Sequence, residues 1–169
     1  MKIETERLIL LPLTIPQLEL WTTDIPTLEN ELQCSYKGDS MEGFWLDIVK
    51  NQIEICKKDL ENILFRTFWF IILKHERTII GTIDFKNLPN ESGEAEIGYG
   101  LSPDYGKKGY MTEAVNGFKE WAFQQPTVQS LLAETEKDNL ASQNILKRCN
   151  FQLTHCNETL WWRVKKQNR

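Results

Sequence analysis

The chain has 169 residues, of which 41% are hydrophobic and 26% are charged, and its formal net charge is −4. This length predicts one domain, over residues 1–169, that is large enough to bury its own core. The acidic balance argues against a protein that binds nucleic acid or acidic membranes through overall charge. No apolar run approaches the ~20 residues that a membrane-spanning helix needs.

Charged side chains interrupt the apolar pattern of residues 1–13, which is not typical of an export signal. The cysteines show neither CxxC spacing nor paired histidine ligands. We therefore interpret them as reduced thiols of a cytoplasmic protein without a metal, with a metal site or disulfides as the alternative. They are Cys34, Cys56, Cys149 and Cys156.

The N-terminal half of the chain predicts a strand, two helices and two further strands. Because proline lacks the N–H that a helix interior requires, we expect Pro26 to break the first helix near its end. The predicted elements are a strand over 3–11, helices over about 15–32 and 41–60, and strands over 68–73 and 79–85.

The C-terminal half alternates strands and helices. Within the strand 94–101, the odd-numbered side chains share one face and the even-numbered ones the other. Apolar residues at helical spacing follow at 112–123 and again at 139–149. The predicted elements are strand 94–101, helix 112–123, strand 131–135, helix 139–149 and a hairpin over 151–164.

The most informative segment is 94–115, with the sequence EAEIGYGLSPDYGKKGYMTEAV. A strand leads into a turn rich in glycine and lysine, and a helix follows, so that main-chain N–H groups and a helix N-terminus surround one concavity. Such a concavity binds phosphate. The spacing does not match a P-loop, and Pro103 replaces the third glycine of the dinucleotide fingerprint. A solvated strand-to-helix turn is the alternative.

This segment resembles motif A of the GNAT superfamily of N-acetyltransferases, and it is most similar to the RimJ/RimL type, whose pattern runs roughly E-I-G-Y-x-L-x-P-x-x-R-G-K-G-Y-A-T-E-A. The opening IETERLILLPLT resembles the first strand of that family, and NLASQNILKRCNF resembles a later helix. The motif A matches are Glu96, Ile97, Gly98, Tyr99, Leu101, Pro103, Lys108, Gly109, Tyr110, Thr112, Glu113 and Ala114.

The resemblance implies an α/β (α+β) fold with a mixed, mostly antiparallel sheet of about seven strands and about four flanking helices. It also implies that acetyl-CoA, as the co-substrate, lies in a gap between two splayed parallel strands, 94–101 and 131–135. The loop before the helix 112–123 would hold the diphosphate. The implied coenzyme-binding residues are Tyr99, Gly100, Leu101, Gly106, Lys107, Lys108, Gly109, Tyr110, Met111, Thr112 and Asn139.

Three residues depart from the loop pattern of the family. Gly106 replaces an Arg or Gln, Lys107 replaces a frequent Gly, and Met111 replaces a small residue. Lys107 can supply the charge of the missing arginine. Met111 either crowds the phosphates or points into the core, which is more common for a methionine at the start of a helix.

The resemblance also implies the catalytic groups. Ser142 matches the residue that protonates the leaving thiolate, and Tyr99 or Tyr110 is an alternative acid. Glu96 is the leading candidate for the base that accepts a proton from the amine, with a solvated strand carboxylate as the alternative reading. Asp84, on the adjoining strand, and Glu158, in the last hairpin, are the other candidate bases. Asn139 also reads as an ordinary helix N-cap.

The function implied is transfer of an acetyl group to a primary amine, with a protein N-terminal α-amine as the leading acceptor. A small amine (a polyamine, an amino acid or an aminoglycoside) and a CoA-binding regulatory module without catalysis are the alternatives. We expect a monomer or a homodimer with no nucleic acid or membrane partner. Aromatic residues near the expected acceptor cleft suit a flat acceptor, although at helical spacing they are more often core: Trp21, Tyr36, Phe44, Trp45, Trp161 and Trp162.

Overall fold

The computed structural model describes residues 1–168, which contain nine strands and six α-helices. The strands are β1 (Ile3–Glu4), β2 (Leu8–Pro12), β3 (Ser35–Tyr36), β4 (Phe68–Leu73), β5 (Thr78–Phe85), β6 (Glu94–Leu101), β7 (Ser130–Thr135), β8 (Gln152–Cys156) and β9 (Leu160–Lys165). The helices are α1 (Ile15–Thr23), α2 (Ile25–Leu32), α3 (Gly43–Lys58), α4 (Ile63–Arg66), α5 (Tyr110–Phe123) and α6 (Leu140–Arg148).

The strands form one sheet in the order β1-β2-β4-β5-β6-β7-β9-β8, and β3 pairs with β5 beside this path. Neighbouring strands are antiparallel except for β6 with β7 and the short β3 with β5. This confirms the predicted mixed, mostly antiparallel α/β sheet. The strand β4, which is entirely buried, lies between β2 and β5.

Each face of the sheet packs against a different set of helices. On one face, Trp69, Ile83 and Phe85 join Phe118 of α5 and Leu146 of α6 in a buried cluster. We call this the α5/α6 face. Alternation along the strands sends the intervening side chains to the other face.

On the opposite face, Phe68 and Phe70 pack with Trp21 of α1 and with Val49 and Ile53 of α3. We call this the α1–α3 face. The buried side chains that the sheet contributes to this cluster come from β2, β4 and β5 and, within residues 1–168, from none of β6 to β9. Helices α1–α3 therefore do not cover the corresponding face of β6, β7, β9 and β8.

The predicted strand 3–11 is wrong as one element, because the chain reverses within it. The N–H of Thr5 donates to the carbonyl of Leu8 at 2.9 Å, and the N–H of Leu8 donates to Thr5 Oγ1 at 3.1 Å. The turn lets β1 pair with β2, with Ile3 opposite Leu10. This division and the short β3 account for nine strands where seven were expected.

The predicted helix 15–32 is also divided, at Asp24 and not at Pro26. Asp24 ends α1 and caps α2, where its Oδ1 accepts from the N–H of Thr27 at 3.2 Å. Pro26 lies in the first turn of α2, where a helix does not use the missing N–H. With the short α4, this division raises the number of helices from four to six.

Gly81 of β5 allows the main chains of β5 and β6 to approach closely. A Cβ atom at Gly81 would collide with the carbonyl oxygen of Gly100, whereas a Cβ atom at Gly100 would meet nothing within 4 Å. The two glycines lie on neighbouring strands, at adjacent positions of the same ladder. They therefore form a matched pair for testing this contact.

We expect Gly81→Ala to lower the free energy of unfolding by about 1–3 kcal/mol, the usual cost of overpacking a close contact. Gly100→Ala should leave it unchanged or raise it slightly, because alanine restricts the unfolded chain. Urea denaturation of both variants measures the difference. Equal midpoints for the two variants would contradict the close-approach explanation.

Candidate active site

The parallel pairing between β6 and β7 ends early. The ladder joins Glu94 to Ser130, Ala95 to Leu131 and Glu96 to Leu132, and then the two strands diverge. The strand β6 continues for five more residues, to Leu101, paired with β5 alone. The result is a wedge-shaped gap in the sheet, with its apex beside Glu96.

Main-chain groups of β6 point into this gap. The N–H of Lys86 donates to the carbonyl of Glu96 and the N–H of Ser102 donates to the carbonyl of Ile80, so the even-numbered residues of this strand direct their polar groups toward β5. Because strand residues alternate in direction, Tyr99 and Leu101 direct their N–H and C=O groups toward β7, where the ladder has ended. An extended ligand can pair with such groups as a strand would.

The gap opens toward the loop that joins β6 to α5. Lys107 and Gly109 both have left-handed backbone conformations, with φ of 64° and 81°. Gly109 is the N-cap of α5, which begins at Tyr110, two residues earlier than the sequence predicted. Gly106 lies at the start of this turn, and Lys107, Lys108 and Gly109 are exposed. Exposed N–H groups, two lysines and a helix N-terminus together suit an anion.

Met111 does not crowd this loop. Its side chain is 4% exposed and belongs to the cluster on the α5/α6 face. The neighbouring Thr112 is half-buried in the first turn of α5. Of the two alternatives for Met111, the structure therefore shows the core position.

Sequence reasoning missed Arg7, which lies against this loop. Its Nη1 donates to the carbonyl of Lys108 at 2.9 Å, its Nε donates to Glu113 at 2.9 Å, and its guanidinium lies 4.5 Å from the centre of the Tyr110 ring. Arg7 thus contacts both Lys108 in the loop and Tyr110 at the start of α5. The two segments lie more than 100 residues apart in sequence, so no local pattern pointed to this contact.

A hydroxyl pair lies on the α5/α6 face of the gap. Tyr99 Oη and Ser142 Oγ are 2.6 Å apart. Burial raises the pKa of Tyr99 to about 12, against the opposing effect of the hydrogen bond to Ser142. Tyr99 therefore keeps its proton at neutral pH and can donate to Ser142, which leaves the serine proton free for a second acceptor.

Asn139 holds the serine in place through the main chain. It is the N-cap of α6, and its Oδ1 accepts from the N–H of Ser142 at 3.1 Å. This is the capping role that the sequence offered as the alternative reading of Asn139. The side chain is exposed at the same end of the helix as Ser142.

Two carboxyl groups lie on the other face of the sheet, the α1–α3 face. Asp84 is opposite Gly98 in the β5–β6 ladder, and Glu96 is two residues before Gly98 on β6. Burial and, to a smaller extent, the charge of Glu96 together raise the pKa of Asp84 to about 7, against the opposing effect of Lys86. Burial also raises the pKa of Glu96, with Lys86 opposing and Glu134 adding to the rise.

Glu134 was not among the predicted residues. It lies on β7, two residues beyond Leu132, which pairs with Glu96, so both glutamates share the α1–α3 face. The hydroxyl of Thr159 donates to Glu134 Oε2 at 2.6 Å. Glu158, the candidate from the last hairpin, is exposed in the turn between β8 and β9. Asp84 and Glu96 thus lie on the same face of the sheet on neighbouring strands, Glu96 at the apex of the gap, whereas Glu158 lies at a hairpin tip.

A narrow pocket lies on the α1–α3 face beside the end of β6. Trp21, Tyr36 and Trp45 line it together with Thr82 and Gly100. Trp21 is buried and its Nε1 donates to Tyr36 Oη at 3.0 Å, so this tryptophan is a core residue that also forms a pocket wall. The remaining aromatic candidates divide: Trp162 is buried on the α5/α6 face, Trp161 is half-buried and Phe44 is 81% exposed.

No cluster of three or more His, Cys, Asp and Glu side chains within the described part of the chain is arranged to hold a metal ion. All four cysteines are free thiols, and Cys156 alone among them is exposed. Among residues 1–168, none of the helices combines the length and apolar character that crossing a bilayer requires.

Comparison with known proteins identifies the family. Residues 7–152 match the model of the acetyltransferase (GNAT) domain. The chain is 31% identical over 153 residues to an uncharacterized N-acetyltransferase of Bacillus subtilis (strain 168), YjdG, and the alignment covers 90% of each chain.

Two solved structures share the fold at low identity. One is RimL, the ribosomal L7/L12 α-N-protein acetyltransferase, in complex with coenzyme A, with a TM-score of 0.68, 18% identity and 98% of each chain covered. The other is the microcin C7 self-immunity acetyltransferase MccE in complex with acetyl-CoA and AMP, with a TM-score of 0.66, 19% identity and 96% of this chain and 94% of that chain covered. With the family model and the Bacillus relative, they agree with the resemblance read from the sequence: the chain belongs to the GNAT family and is an N-acetyltransferase.

Proposed function

We propose that this enzyme transfers the acetyl group of acetyl-CoA to a primary amine, and that the acceptor is a protein N-terminal α-amine. The observation that carries the proposal is the arrangement of groups around the gap between β6 and β7. A proton donor pair, Tyr99 and Ser142, lies on one face of the sheet, and the carboxyl groups of Glu96 and Asp84 lie on the other. Acid and base thus reach a thioester in the gap from opposite sides.

The coenzyme is proposed to extend from the loop to the apex of the gap. Main-chain N–H groups from Lys107 to Met111 would bind the diphosphate, and the free main-chain groups of Tyr99 and Leu101 would pair with the pantetheine amides. Gly100 and Gly106 leave room beside this path, and Thr112 and Asn139 border it at the N-termini of α5 and α6. The thioester then lies next to Glu96.

Different residues carry out the two proton transfers of the reaction. The amine nitrogen attacks the carbonyl carbon of the thioester while Glu96 accepts a proton from the amine. A main-chain N–H of β6 stabilises the oxyanion that forms. When the C–S bond breaks, Ser142 donates its proton to the thiolate, and Tyr99 donates to Ser142. No residue forms a covalent bond to the acetyl group.

The preference for an α-amine rests on basicity. An α-amino group has a pKa of about 7.7–8.0, whereas that of lysine is about 10.4, so an α-amine is partly neutral near pH 7 and needs only a weak base. A carboxylate such as Glu96 is such a base, and its raised pKa makes it a stronger one than a fully solvated carboxylate. RimL, one of the structures with this fold, is described as an α-N-protein acetyltransferase.

A small amine is the second candidate acceptor, because Trp21, Tyr36 and Trp45 line a pocket beside the gap that suits a flat ligand. Assays of CoA thiol release separate the candidates. They compare peptides with a free N-terminus, the same peptides acetylated at the N-terminus but with an internal lysine, and a panel of polyamines, amino acids and aminoglycosides. We expect turnover of the free N-termini. Turnover of small amines alone would favour the second candidate, and CoA binding without any turnover would indicate a regulatory module.

We expect Glu96→Gln to reduce kcat by about 100-fold, the lower end of the usual contribution of a general base. The dissociation constant for CoA should stay the same, because glutamine keeps the size of the side chain. Steady-state kinetics and calorimetry measure the two quantities. Glu94→Gln is the control, since Glu94 lies on the same strand and face and pairs with Arg163 at 2.7 Å. Turnover at the wild-type rate in Glu96→Gln would exclude Glu96 as the base.

The variant Asp84→Asn completes this test through its pH profile. Asp84 is mostly protonated below its pKa of about 7 and charged above it. Its charge then makes Glu96 a better base, so wild-type activity should rise through this range more steeply than ionisation of the amine alone produces. Asp84→Asn should lose that extra rise and remain more active than Glu96→Gln at pH 8. If it is as inactive as Glu96→Gln there, Asp84 also takes part in proton removal and Glu96 is not the base alone.

For the hydroxyl pair, we expect Ser142→Ala and Tyr99→Phe each to lower kcat about tenfold, the effect of one hydrogen bond. The effect is modest because a thiolate with a pKa near ~8.5 leaves readily. Since Tyr99 acts through Ser142, the double variant should lose little more than Ser142→Ala alone. Losses that multiply in the double variant would show that the two hydroxyls act independently.

Charge reversal in the loop tests the position of the coenzyme. Lys107→Glu combined with Lys108→Glu should weaken CoA binding, and the loss should shrink as salt concentration rises, because both side chains are exposed and salt screens them. Titration calorimetry at two ionic strengths measures this. Lys165→Glu, at the far end of β9, serves as the control. An unchanged affinity with an unchanged salt dependence would mean that the diphosphate binds elsewhere.

A further inference from the structure

The side chain of Arg7 joins the turn between β1 and β2 to the loop before α5. We infer that Arg7 is a positioning residue for the diphosphate loop, and that it acts by bridging the Lys108 carbonyl and the Glu113 carboxylate. The inference rests on the proposed placement of the coenzyme in that loop. It concerns the geometry of the loop and not a direct contact between Arg7 and the ligand.

The contacts of Arg7 account for most of the orientation of its guanidinium. Nη1 donates to the carbonyl of Lys108 at 2.9 Å and Nε donates to Glu113 Oε1 at 2.9 Å, while Cζ lies over the Tyr110 ring, 4.5 Å from its centre. Nη2 lies 3.3 Å from the position that a Cβ atom would take at Gly109. One side chain therefore touches a loop residue, the N-cap and the first turn of α5.

Glu113 also accepts hydrogen bonds from two groups in the turn between β1 and β2. Its Oε2 accepts from the hydroxyl of Thr5 at 2.6 Å and from the main-chain N–H of Arg7 at 2.9 Å. Burial disfavours the charge of Glu113, but the hydrogen bonds from Thr5 and Arg7 outweigh burial and lower its pKa. The carboxylate is therefore charged at neutral pH and fixes the position of Arg7.

This arrangement controls the direction of the loop amides. By holding the Lys108 carbonyl on the Arg7 side, the bridge fixes the peptide plane between Lys108 and Gly109. The N–H of Gly109 belongs to the same plane and points the opposite way. Since a main-chain anion site depends on converging N–H groups, loss of the bridge should free this plane to rotate and weaken the site.

The test compares two thioester substrates in steady-state kinetics. We expect Arg7→Met to raise the KM for acetyl-CoA about tenfold, the loss that one charged hydrogen bond accounts for, with little change in kcat. The KM for S-acetylpantetheine, which lacks the diphosphate, should not change. Lys74→Met is the matched control, because Lys74 donates to the Thr5 carbonyl at 2.6 Å and so braces the same turn without contacting the loop. It should leave both KM values unchanged.

Arg7→Lys separates bridging from simple charge. An ammonium group cannot reproduce the planar fork that reaches two acceptors, so this variant should also raise the KM for acetyl-CoA. Wild-type KM in Arg7→Lys would overturn the inference in favour of charge alone. An equal rise for both thioesters in Arg7→Met would overturn it in favour of general damage to the fold.

The loop variant Lys107→Glu with Lys108→Glu distinguishes failure of the inference from failure of the proposed function. If that variant weakens CoA binding and Arg7→Met does not, only the role of Arg7 is wrong. If neither variant affects CoA binding, the coenzyme is not in this loop and the proposed site is wrong as well.

Discussion

The early end of the β6–β7 ladder is the constraint on which the rest of the site depends. Three residue pairs hold the two strands together, and beyond Glu96 and Leu132 they separate. Main-chain polar groups that are left without a strand partner need another partner. A gap lined by such groups suits an extended ligand that can pair with them as a strand would.

The two faces of the sheet then differ in chemistry because the strands alternate. On β6, Tyr99 faces α5 and α6 and meets Ser142, whereas Glu96 faces the open side beside α1–α3. Packing by α6 keeps the hydroxyl pair partly buried, and the lack of a covering helix over Glu96 and Glu134 leaves the carboxylate side accessible. A single strand thus presents a hydroxyl group and a carboxyl group to opposite sides of one gap.

Much of this could be predicted from local patterns. The strand 94–101, with its alternating faces, and the strand 68–73 were predicted with the bounds that the structure has. The division of the first strand was missed because the turn at Thr5 depends on a side-chain hydrogen bond. The break at Asp24 was missed because capping competed with the more obvious signal of Pro26.

The sequence by itself determined the order of the main elements, the face of each strand residue and the glycine- and lysine-rich loop before a helix, since these follow from short-range periodicity and backbone preference. Only the tertiary structure decided where the parallel ladder ends, that Tyr99 meets Ser142 across 43 residues, and that Arg7 reaches Glu113 across 106. Such contacts depend on strand register and helix packing. Periodicity tells which way a side chain points, but not which distant residue it will face.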